Sequence, residues 1–100
     1  MDAVSVVAKR LKEARVAADI SQKELGIKAG IDEFSASARI NQYERGKHAP
    51  DFLTVERLAK VLRVPTPFFY ARDDDLAEAI LQFGKLTPRQ RRQNKPQQRS

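Results

Sequence analysis

The chain has 100 residues, 41% of them hydrophobic, and no cysteine; it can support one small core, but neither a disulfide framework nor a thiolate-held zinc site. Its formal net charge is +6, yet residues 1–84 hold 13 basic and 13 acidic side chains, so the imbalance comes from Lys85, Arg89, Arg91, Arg92, Lys95 and Arg99. No apolar run approaches the roughly 20 residues that span a bilayer, and MDAVSVVAKRLKEA lacks the basic-then-apolar order of a secretory leader, so a cytoplasmic protein with no membrane partner is expected.

Along residues 3–18 the apolar side chains Val4, Val7, Ala8, Leu11, Ala14 and Ala18 recur at three- and four-residue steps, which predicts an amphipathic first helix. Lys9, Arg10, Lys12 and Glu13 fall on its remaining, solvent-facing side. Arg15 lies beside the apolar stripe and needs a partner if it is partly buried.

Ser21 and Glu24 form the S-x-x-E capping box, and Ile20 and Leu25 are spaced as a hydrophobic staple, so a second helix starts at Gln22. Gly30 ends it, because glycine takes the left-handed backbone there without steric cost. Ala36, Ile40, Tyr43 and Glu44 share a narrow arc at 100 degrees per residue, with Ala38, Asn41, Gln42 and Arg45 on the other side. A third helix therefore runs from near Ser35 to near Arg45, with Gly46 as its stop. Phe34 falls outside the buried arc; it is assigned to the preceding turn and expected to pack inward.

Asp51 or Thr54 can cap a fourth helix carrying Val55, Leu58, Ala59 and Leu62, which Pro65 stops. Thr66 and Pro67 read as N-cap and first position of a one-turn fifth helix that places Phe68 and Phe69 in the core. Asp73 to Asp75 precede a sixth helix with Leu76, Ile80 and Phe83 on one side. After Thr87 and Pro88 no apolar side chain remains to bury, so the basic tail is expected to be disordered after at most one turn, adding only sequence-independent attraction to phosphates. No alternating β-branched run or hairpin turn appears.

The capped second helix, the Ile40-x-x-Tyr43-Glu44-Arg45-Gly46 segment, Pro50, and Leu58-Ala59 with Leu62-Arg63-Val64 resemble the lambda-repressor-like, Xre-type helix-turn-helix regulators over about residues 7–70. The resemblance implies an all-α fold with a five-helix DNA-binding domain, placed over residues 1–72; the residue pattern adds a short extra helix over 73–84 and a basic tail over 85–100. It further implies a sequence-specific transcriptional regulator, expected to be a repressor, whose third helix enters the major groove of an operator.

By position in the motif, Ser37 and Ala38 in the first turn of the third helix, then Asn41 and Gln42, are the base readers. Asn and Gln amides can pair with adenine, and Ala38 can touch a thymine methyl. Gln22, Lys23, Arg39, Arg45, Gly46 and Lys47 are the expected phosphate contacts, with Arg39 also able to reach a guanine edge. The pattern supplies Glu44 as the ion-pair partner of Arg15.

Between Gly30 and Ile40 the chain carries about four residues more than the family pattern, one helical turn's worth. They could lengthen the third helix backwards or enlarge the turn; the phase of Phe34 favours the turn. A homodimer is expected on a two-half-site operator, with the sixth helix either at the interface or docked on its own core. The alternative function is an antitoxin-like interaction module that also binds DNA and takes a protein partner through its C-terminal segment. An enzyme is not expected: His48 is the only histidine, no phosphate-cradling glycine loop occurs, and no metal or other cofactor is called for.

Overall fold

In the computed structural model, which describes residues 2–93 and only the backbone of Ala3, most helices begin at a side chain that caps them. Asp2 accepts from Ser5 N at the start of α1 (Ala3–Ala17) and Ser21 from Glu24 N at the start of α2 (Gln22–Lys28). Asp32 accepts from Phe34 N at the start of α3 (Glu33–Glu44), and Asp51 from Thr54 N at the start of α4 (Phe52–Leu62). A 3-10 segment (Thr66–Tyr70), α5 (Asp74–Gly84) and α6 (Pro88–Gln93) complete the order, and no strand occurs among the described residues.

The ends of α2 and α3 are built alike. Gly30 (φ 91) and Gly46 (φ 71) take the left-handed backbone just past the helix. Ile31 N then donates to Gly26 O, and Lys47 N to Gln42 O, both at 2.9 Å, which satisfies carbonyls the helix leaves open. The first of these turns joins α2 directly to α3, and the two helices lie against each other.

The core joins Leu11, Leu25, Ile40, Val55, Leu58 and Phe69, all at or near zero exposure. α1 packs on both α3 and the 3-10 segment, and α2 on both α3 and α4. Between α2 and α3 the backbones come close: a Cβ on Gly26 would stand 2.8 Å from Ala36 Cβ.

Four expectations change. First, the additional turn before Ile40 lengthens the helix. Asp32 caps it, Glu33 and Phe34 are helical, and Phe34 is 95% exposed rather than packed inward. Ser37 and Ala38 consequently sit in the second turn of α3. Second, Arg10 is buried, at 2% exposure. Its Nε donates to Ala71 O at 2.9 Å, Nη2 to Arg72 O at 3.1 Å, and Nη1 to Asp74 Oδ1 at 3.0 Å and to Glu13. Its guanidinium also lies 5.8 Å from the Phe68 ring centre. Hydrogen bonds from Lys9 and then Arg10 hold the Asp74 carboxyl below the usual carboxylate range.

Third, Thr66 caps nothing; the 3-10 segment follows Pro65 without a side-chain cap, though Phe68 and Phe69 are buried as expected. Fourth, a helix runs over Pro88–Gln93, started by reciprocal bonds of Thr87 N to Gln90 Oε1 (2.8 Å) and Gln90 N to Thr87 Oγ1 (3.2 Å). Residues 94–100 of the expected tail lie outside the described residues.

α5 docks through Ala77, with Ile80 and Leu81 against the core. Leu76 and Phe83, on its flank, remain 51% and 47% exposed.

Candidate nucleic-acid interface

Ala36, Ile40 and Tyr43 bury one side of α3, which turns the opposite side outward. Phe34, Ala38, Asn41 and Arg45 follow one another on that side at steps of four, three and four, so they form one stripe along the axis. Ser37 and Gln42 flank it, and both are exposed. Arg39 is also exposed but lies toward the edge of the helix, where it points away from the centre of the stripe.

Below the stripe, a polar chain ties α3 to α1 and α2. The Glu44 side chain is 4% exposed and accepts from Arg15 Nε and Nη2 together, at 2.5 and 3.1 Å. Arg15 Nη1 donates further to Ile20 O at 3.1 Å. The same Glu44 Oε1 accepts from Gln22 Nε2 at 3.1 Å, and that nitrogen also donates to Asn41 Oδ1 at 3.3 Å. Hydrogen bonding to Glu44 raises the Arg15 pKa above its ordinary value against the opposing effect of burial, so the guanidinium stays charged. No buried side-chain nitrogen or oxygen among the described residues lacks a partner.

The arrangement therefore brings Arg15, Glu44, Gln22 and Asn41 into one network. Gln22 is an expected phosphate contact at the amino end of α2, and its amide nitrogen also braces Asn41 and Glu44. With its Oδ1 turned toward Gln22, Asn41 keeps its amide hydrogens for an outside acceptor. Lys23 on α2, and Arg45, Lys47 and His48 after the second turn of the motif, are all exposed cationic or polar side chains, with Gly46 half-buried between them.

Sequence reasoning missed Phe34 as part of this surface. Two signals could have found it: Asp32 lies one residue before the lengthened helix, as a cap should, and residue 34 is one four-residue step before Ala38.

The sequence profile of a family described as Helix-turn-helix matches residues 11–69. Among solved structures, the chain is similar to the crystal structure of the transcriptional regulator BswR, at 52% identity and a TM-score of 0.80, over 87% of this chain and 86% of that one. No curated protein sequence matches.

Proposed function

The chain belongs to the helix-turn-helix family and is a DNA-binding transcriptional regulator, and from that premise we propose that it is a sequence-specific repressor that lays α3 in the major groove of its operator. The observation that carries this reading is the outward stripe of α3, in which Asn41 is already oriented by Gln22 and Ala38 and Arg45 stand exposed beside it. Ser37, Ala38, Asn41 and Gln42 read base edges. Lys23, Arg39, Arg45, Lys47 and the backbone at Gly46 hold phosphates, while Gln22 acts through Asn41. Repression follows from occupying the operator.

A single small module reads few bases, so the regulator acts as a homodimer on two related half-sites about one helical turn apart. The apolar flank of α5 supports a second copy as the partner: Leu76 is exposed next to Phe52, Pro67 and Tyr70, which line a shallow groove with it.

Selection of bound duplexes from random DNA tests the reading. Enrichment of one motif, repeated as two half-sites, is expected; a pool that stays random would overturn it. On the selected operator, Gln42→Ala is expected to cost about 1–3 kcal/mol and to relax preference at one base position. An equal loss on operator and random DNA would remove Gln42 from the reading residues. Lys47→Ala is expected to weaken binding to all sequences alike and to lower the slope of affinity against salt by about 1.

A further inference from the structure

The feature the regulator reading leaves unused is Phe34. It is 95% exposed in the first turn of α3, where a phenyl ring has nothing within the chain to gain from being aromatic. The helix positions it firmly: its backbone nitrogen donates to Asp32 Oδ2 at 3.0 Å, so the ring is not on a frayed end. It heads the stripe continued by Ala38, Asn41 and Arg45, about 6 Å along the axis before Ala38.

We propose that Phe34 is a specificity-determining residue that contacts a thymine methyl group in the major groove, at a base position beyond those reached from Ala38 to Gln42. This rests on the reading of α3 as the groove helix. The N-terminal residues of such a helix approach base edges most closely, and the major-groove edge of thymine is the one that offers an apolar group to a phenyl ring. A contact with a second protein surface is the weaker fit. Such surfaces are contiguous apolar patches, whereas Ser37, Ala38 and Asn41 follow Phe34 on its side of the helix and leave it next to one methyl and two polar groups. The additional turn of α3 thus extends the reading surface instead of enlarging a loop.

The test uses the full chain and its selected operator, with each thymine replaced in turn by deoxyuridine, which deletes only the methyl. The wild-type chain is expected to lose about fourfold in affinity at one thymine outside the positions sensitive to Gln42→Ala. Phe34→Ala is expected to bind the operator about tenfold more weakly, to bind random DNA unchanged, and to be indifferent to that methyl. Phe34→Leu should recover part of the loss, and both variants should keep the wild-type thermal midpoint, since the ring packs on nothing. Wild-type affinity in Phe34→Ala, an undiminished methyl effect in it, or an equal loss on random DNA each overturns the proposal while leaving the regulator reading intact. A wild-type chain that selects no operator overturns both.

Discussion

Replacing Glu44 with alanine is expected to destabilise the chain by about 3–5 kcal/mol, measured as the free energy of unfolding in denaturant. The loss is large because of what stays behind. Glu44 is the acceptor for two Arg15 nitrogens and for Gln22, and its side chain is 4% exposed. Without it, a half-buried guanidinium keeps its charge and loses its counter-ion. Arg15 retains only the bond to Ile20 O and 16% exposure, so water recovers part of the cost and the lower end of the range is the better expectation. Replacing both residues, as in Arg15→Met with Glu44→Leu, should cost less than Glu44→Ala alone, because no unpaired charge remains. A double variant as unstable as the sum of the singles would show that the pair is not energetically coupled. Since Arg15 is held above its ordinary pKa, it stays protonated as the pH rises toward that ordinary value, and alkali should not release the pair before then.

Gly26→Val is the second large expectation, at about 3 kcal/mol of destabilisation. A Cβ there would meet Ala36 Cβ at 2.8 Å and the Ala36 backbone, Cα and O, at 3.0 Å each. Backbone atoms cannot swing aside as a side-chain tip can, so α2 and α3 must separate. Valine gains less helix propensity over glycine than alanine does, and alanine's advantage of about 1 kcal/mol would mask more of the clash. Separation also tilts the reading surface. Operator affinity should therefore fall further than affinity for random DNA in the fraction that remains folded, measured by titration below the unfolding midpoint. Stability equal to wild type would show that the helices can part without cost.

The two expectations share an origin that was only partly visible in the sequence. Ser21 and Glu24, Ile40 with Tyr43, and the glycines at 30 and 46 act through neighbours three to six residues away, and such local patterns can be read directly. Arg10 could not be read this way. Its polar partners Ala71, Arg72 and Asp74 are more than 60 positions along the chain, and a charged residue between Lys9 and Lys12 on a helix normally faces water. Phe34 is misleading for the opposite reason: an aromatic residue is expected to be buried, and a helix phase that sets it outside the core reads as a helix boundary. At the candidate site, the pairing of Arg15 with Glu44 followed from family position, but the use of Gln22 as a brace for Asn41 depends on the closeness of α2 to α3. The helix over Pro88–Gln93 was announced by Thr87 and Gln90, a capping pair overlooked because nothing apolar follows it.

The bond from Gln22 to Asn41 has an entropic consequence. A side chain that must be immobilised on binding forfeits about 0.5–1.5 kcal/mol of rotamer freedom. Asn41 has made that sacrifice during folding, at the 3.3 Å contact with Gln22, whereas Gln42 is exposed and makes it only when a base edge arrives. In the proposed reading of the groove, adjacent amides on one helix thus differ in character: Asn41 would serve as a fixed gauge that rejects a wrong base by misfit, and Gln42 as an adjustable finger that can re-aim.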